Sequence, residues 1–136
     1  MKKRLVLLLI LFLCVCAFVF SDGLIRTYVK ADRARLAQYA QTLLAGERDD
    51  ERYGLWKVDC YPEQGVVQFM TGGSGLVPST TYEGFYYSAD DTHIPFQGAD
   101  CPMTLDGDTA SWTDGTDNGG TSVRITEHWF WFEAWF

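Results

Sequence analysis

The last nine residues, HWFWFEAWF (128–136), include six aromatic side chains, and three of the five tryptophans, Trp129, Trp131 and Trp135, lie among them. Successive side chains of a strand point to opposite faces. If residues 123–136 form one last strand, Arg124, Thr126, His128, Phe130, Phe132 and Phe136 share one face. Ile125, Glu127, Trp129, Trp131 and Trp135 then share the other. An antiparallel sheet with one wet side needs a single apolar face, so this segment predicts a strand covered on both sides. An amphipathic helix supplies one cover. A loop such as residues 72–81, another protein, a sugar or the bilayer surface supplies the second. Trp56, Phe69, Tyr86 and Trp112 are the intramolecular packing partners to expect.

The opposite end of the chain is not available for that core. MKKRLVLLLILFLCVCAFVF places three basic residues before an uncharged apolar run from Leu5 to Phe20, the layout of an export signal or a signal anchor. Sixteen residues at about 1.5 Å each span roughly 24 Å, against a hydrocarbon core of roughly 30 Å. Thinning of the bilayer and flanking side chains cover such a deficit at modest cost. Cleavage is the competing expectation, after Val15-Cys16-Ala17 or Val19-Phe20-Ser21, although neither has the preferred A-x-A form. Lys2, Lys3 and Arg4 favour the cytoplasmic side for the amino terminus, while Arg26, Lys30, Arg33 and Arg35 weigh the other way. The tight N-terminal cluster decides for an extracytoplasmic body in a single-pass protein, with secretion as the alternative.

Without Lys2, Lys3 and Arg4, eight basic residues face eighteen acidic ones, a net charge of −10. Such a surface repels phosphate backbones and argues against nucleic acid as a partner. Cys14 and Cys16 lie in the apolar run and act as small hydrophobes. Cys60 and Cys101 are the only cysteines beyond it, and an isolated extracytoplasmic pair is a candidate disulfide. That bridge would close about 40 residues and contribute on the order of 3 to 4 kcal/mol.

Residues 24–46 carry an apolar stripe through Leu24, Tyr28, Ala31, Leu36, Tyr39, Ala40, Leu43 and Leu44, with Gly46 placed to end a helix. From Tyr53 the period changes to two. LWKVDCY, a Pro-Glu-Gln-Gly turn and VVQFM predict a hairpin over 54–71. TGGSG reads as a loop. YEGFYYS reads as a strand with Gly84 at a bulge or close approach, and Ile94-Pro95-Phe96 as an edge or no strand. MTLDGDTASWT is a hairpin turning at Asp106-Gly107, DGTDNGG a loop, and VRITEHWFWFEAWF the final strand. The fold class is therefore α+β: an N-terminal hydrophobic helix leading into a second helix packed on a small antiparallel sheet. The boundaries fall at 1–22 for the anchor or signal, 23–52 for the helix and connector, and 53–136 for the sheet.

A hydrophobic segment running into a helix and a sheet is the layout of type IV pilins, but the glycine-ended leader and the glutamate early in the apolar helix are missing. Instead, GLVPSTTYEGFYYSADD (75–91) and SWTDGTDNGGTSVRITEHWFWFEAWF (111–136) resemble small membrane-anchored proteins of Gram-positive, Clostridia-type bacteria with no assigned activity. The likeness covers most of the chain beyond the export segment. It implies a bacterial envelope setting and carries no catalytic motif.

Chemistry-bearing residues are sparse. His93 and His128 are the only histidines. With Asp90, Asp91, Glu127 or Glu133 either could form an acid–base pair, yet no spacing matches HExxH or GxSxG. Asp114, Thr116, Asn118 and Gly119 occupy the first, third, fifth and sixth places of an EF-hand-like loop, but Ile125 stands where the bidentate glutamate belongs. The glycines of TGGSG have no lysine after them and make no phosphate cradle. No cofactor or metal is expected. The reading that follows is a non-enzymatic interaction or structural module of the envelope, held to the cell membrane through residues 5–20 and meeting an envelope protein. A glycan-binding module using Trp129, Trp131 and Trp135 is one alternative, and an enzyme using His128 the other.

Overall fold

The computed structural model describes residues 2–19, 22–76 and 79–136. Helix α1 (Lys2–Val19) is followed by α2 (Asp22–Leu44). Eight strands come next: β1 (Arg52–Tyr53), β2 (Trp56–Tyr61), β3 (Val66–Leu76), β4 (Ser79–Ser88), β5 (Thr104–Asp106), β6 (Thr109–Thr113), β7 (Gly119–Thr126) and β8 (Trp129–Trp135). The fold is α+β, with α2 packed on an antiparallel sheet. The sheet order is β1-β2-β3-β4-β8-β7-β6-β5. It consists of two meanders that meet at β4 and β8, so the aromatic end of the chain occupies the middle of the sheet, where both edges of its backbone are paired.

Helix α2 stops where the sequence predicts. Gly46 is left-handed (φ 71°), its N–H donates to the Leu43 carbonyl, and the Glu47 N–H donates to the Thr42 carbonyl. This is a Schellman closure, which satisfies the carbonyls a helix end leaves free. The stripe Val29, Leu36, Tyr39, Ala40 and Leu43 is buried against Val58, Val67, Phe69, Phe85, Tyr87, Ile125, Trp129 and Trp131. Phe69 and Phe85 stack with centroids 4.7 Å apart. Arg26 lies over the Trp131 ring at 5.1 Å, so its guanidinium closes the edge of this core through a cation–π contact.

The second face is the chain's own work as well. Val66, Tyr86, Trp112, Phe130, Phe132 and Ala134 form a second cluster, and Phe96, Ile94, Cys101 and Met103 pack onto it. These last four belong to the β4–β5 connection, residues 89–103. The missing cover is thus this segment, rather than loop 72–81, of which Val77 and Pro78 lie outside the described residues. Phe96 is 5% exposed and meets Tyr82, Phe132 and Phe136 at centroid distances of 5.4, 5.5 and 5.5 Å. Pro95 and Phe96 sit in the connection and form no strand; a short 3-10 turn begins at Phe96.

Three further expectations are corrected. TGGSG is strand, not loop: Gly72, Gly73, Ser74 and Gly75 pair with Glu83, Tyr82, Thr81 and Thr80 beyond a bulge at Met70/Gly72. The threonine- and aromatic-rich partner strand supplies the β preference that the glycines lack. Gly84, across that bulge, is required by close approach, since a Cβ there would stand 2.0 Å from the Phe69 carbonyl oxygen. The predicted final strand is two strands, because the chain reverses at Glu127-His128 and pairs Thr126 with Trp129. Tertiary bonds hold that turn, with His128 left-handed at φ 63°: its N–H donates to Asp91 Oδ1 at 2.6 Å, and the Ser88 N–H donates to its carbonyl. The Cys60–Cys101 bridge is absent. Both thiols are free, because Cys60 packs on the helix-side cluster and Cys101 on the opposite one.

Helix α1 stands apart from this architecture. Between Leu5 and Val15 its large apolar side chains are 51–71% exposed. Among the described residues no single helix is long and apolar enough to cross a membrane; α1 and α2 meet that criterion only together, as a pair bent by 60°. Phe20 and Ser21, where the later cleavage motif and part of the expected helix break fall, lie outside the described residues.

Candidate functional site

Burial divides the three candidate tryptophans at the chain's end. Trp129 is 1% exposed and Trp131 is 3% exposed, both against α2, whereas Trp135 remains 40% exposed. Helix α2 covers only the first part of β8; beyond it Glu133 and Trp135 are exposed. Phe136 continues the ladder, exchanging backbone hydrogen bonds with Thr80. Trp135 and Phe136 border a cleft of about 410 Å3 whose other walls are Ser79, Thr80, Thr81, Thr116, Asp117 and Asn118. A ring with hydroxyl, carboxylate and amide groups around it can stack on and hydrogen-bond a polyhydroxylated ligand.

The loop that borders this cleft is self-satisfied. Asp114 Oδ1 accepts from the Thr116 N–H at 2.9 Å and from its hydroxyl, and Oδ2 accepts from Asn118 Nδ2 at 2.9 Å. The Thr116 hydroxyl, the Thr116 N–H and the Asn118 amide, in that order, hold the Asp114 carboxyl below its ordinary value. The oxygens at the EF-hand-like positions are thereby engaged in an Asx-type turn. Among the described residues no group of three His, Cys, Asp or Glu is arranged to hold a metal ion.

Both histidines enter polar networks beneath the 89–103 segment. His93 Nδ1 lies 2.8 Å from Ser122 Oγ, which lies 2.6 Å from the Tyr86 hydroxyl, and the Ile94 N–H donates to that same hydroxyl at 2.9 Å. A neutral imidazole fits this chain of bonds: Tyr86 donates to Ser122, and Ser122 donates to His93. Burial, then the nearby Arg124, lowers the His93 pKa, and Asp108 and Asp91 oppose them. Burial likewise raises the Tyr86 phenol to about 12. A serine bonded to a histidine invites comparison with a nucleophile and its base. Ser122, however, is 1% exposed, so no substrate carbonyl reaches its Oγ.

The second network joins Arg124 to Asp91 at 2.6 Å. Arg124 also donates to the Asp91 carbonyl at 3.1 Å and stacks over Phe130 at 4.7 Å. Burial acts to raise the Asp91 carboxyl, but the His128 N–H and Arg124 outweigh it and hold it below its ordinary value. His128 Nδ1 is 2.9 Å from the Ser88 carbonyl oxygen, and its ring stacks on Tyr87. Asp91, His93 and Arg124 do line a shallow cleft with Met103 and Leu105, while His128 is a turn residue outside it. Arg124 was placed on the last strand by sequence, but its partner Asp91 lies 33 residues away, a pairing no local pattern announces.

A larger concavity than the Trp135 cleft lies where α2 begins. Asp22, Leu24, Ile25 and Tyr28 of α2, Leu55 and Trp56 of the β1–β2 hairpin, Thr71 of β3 and Glu83 of β4 enclose about 610 Å3. Tyr28 and Trp56 meet edge to face at 5.7 Å. Burial, then Asp22 and Glu133, raise the Glu83 carboxyl. Sequence reading assigned Leu24, Tyr28 and Trp56 to core faces and so missed the groove. The one available signal was Leu55, an apolar residue directly after Gly54; the structure puts the two in the turn between β1 and β2, with Leu55 89% exposed.

Comparison with protein-family models, with curated proteins and with solved structures finds no match.

Proposed function

We propose that this chain is a membrane-anchored, extracytoplasmic interaction module of a bacterial envelope, non-enzymatic, that meets another envelope component through its sheet domain. The observation that carries the reading is the contrast between its two ends. Helix α1 keeps its large apolar side chains 51–71% exposed, whereas the sheet closes both of its faces with α2 and residues 89–103. Exposed apolar surface on that scale marks contact with a membrane or a partner, and the basic residues before Leu5 favour insertion with the sheet domain outside. The test is protease protection of the full chain in cells. An α1 that fractionates with membranes while externally added protease reaches the sheet domain supports the anchored arrangement; a sheet domain protected in intact cells and cleaved only after lysis refutes it.

A second reading is supported by the cleft at Trp135. Aromatic rings beside Thr80, Thr81 and Asp117 suit a glycan, and the stacking tryptophan is then Trp135 alone, since Trp129 and Trp131 are buried. Titration with cell-wall oligosaccharides should change tryptophan emission in the full chain and fail to do so in Trp135→Ala. An unchanged emission in the parent protein rejects the glycan.

A further inference from the structure

We infer that the tip of the β1–β2 hairpin and the first turns of α2 form a second membrane contact, seating Leu55, Leu24 and Ile25 in the bilayer interface beside α1. The inference rests on the anchored reading and deepens it. The uncharged apolar run of the anchor spans roughly 24 Å of a hydrocarbon core of roughly 30 Å, so a layer of roughly 6 Å on one side lacks an apolar column. Leu24 lies only five residues beyond the end of α1 at Val19. Leu55, Trp56 and Tyr28 share a groove with Leu24 and Ile25, which places the hairpin tip at the same level.

The tip has the chemistry of an interfacial contact. Leu55 is 89% exposed on a domain that buries its other apolar clusters well, and Gly54 before it is left-handed with open space around it. Tyr28, Tyr53 and Trp56 ring it, the residue types that collect at headgroup depth. Arg52 donates to the Leu55 carbonyl at 2.9 Å, fixing the tip. Long basic side chains of this kind keep their charge at the headgroups while their stems lie on apolar surface. Asp22 and Glu83 line the groove, while the exposed Arg52 stands at the tip itself, where a cation suits an anionic bilayer. Among the described residues the other exposed leucine of the domain, Leu105, is 68% exposed in β5, on the opposite edge of the sheet from β1.

The experiment uses the full chain in nanodiscs of equal parts phosphatidylcholine and phosphatidylglycerol. An environment-sensitive fluorescent amino acid is placed in turn at position 10, 55 or 105, each an exposed site whose replacement leaves the core intact. Emission at 55 should be blue-shifted, lose its quenching by aqueous iodide and gain quenching by spin-labelled lipid, as at 10, while 105 stays open to iodide. Iodide quenching at 55 with lipid quenching at 10 overturns the second contact and leaves the anchor standing. Shielding at 55 from both quenchers means that protein, a second copy or a partner, covers the tip, and overturns it too. Iodide quenching at 10 removes the anchored reading and this inference together.

Discussion

Phe96→Ala is the sharpest test of how the second face of the sheet is closed. Phe96 is 5% exposed and is the one side chain of the 89–103 segment in ring contact with three aromatics of the sheet, Tyr82, Phe132 and Phe136. Truncating a buried phenylalanine costs about 3 to 5 kcal/mol, the lost transfer energy plus the cavity left behind. At roughly 4 °C per kcal/mol for a domain of this size, the melting midpoint should fall by roughly 12 to 20 °C. The assay is thermal and urea unfolding of the full chain in detergent, followed by near-ultraviolet circular dichroism, with Leu105→Ala as the exposed control, expected within about 0.5 kcal/mol of the parent. A loss below about 1 kcal/mol for Phe96→Ala, well short of the truncation value, would refute the assignment of this segment as the cover. It would return that face to an external partner.

Three further outcomes follow from the packing and the charges. Trp131→Ala should destabilise by about 3 to 5 kcal/mol, while Trp135→Ala, at an exposed site, should cost less than about 1 kcal/mol; equal losses in urea unfolding would contradict the division of the tryptophans. Because His93 is held neutral, with its folded pKa below the unfolded 6.5, its stabilising contribution is complete above that value and declines as pH falls through it towards the folded pKa, where the unfolded chain binds the extra proton. Urea midpoints measured across this window should fall more steeply in the parent than in His93→Gln, and parallel slopes would remove the argument. Gly46→Ala forces a Cβ into left-handed backbone and should cost about 1 to 2 kcal/mol, although its surroundings are open; a neutral result in thermal unfolding would contradict the Schellman closure.

Patterns with a fixed period were legible in the chain. The stripe of α2 and its end at Gly46 follow from 3.6-residue spacing and the left-handed tolerance of glycine. The hairpins at Pro62–Gln64 and Gly107 follow from two-residue alternation broken by turn residues. The demand for two covers on HWFWFEAWF also followed, because alternation puts rings on both faces whatever the neighbours are.

Contacts between distant segments were decided by the tertiary structure. The Glu127-His128 reversal was hidden because neither residue is a strong turn former; Asp91, far away in sequence, supplies the bond that holds it. The candidate site changed for the same reason. Sequence shows that Trp129, Trp131 and Trp135 are large and aromatic, but only the length of α2 along the sheet buries the first two and leaves the third in a cleft. Cys60 and Cys101 look like a pair because no other cysteine lies beyond the apolar run, yet the sheet runs between them. Periodicity fixes which face of its own element a side chain occupies; what lies opposite that face depends on long-range pairing, and burial, pKa and accessibility are set there.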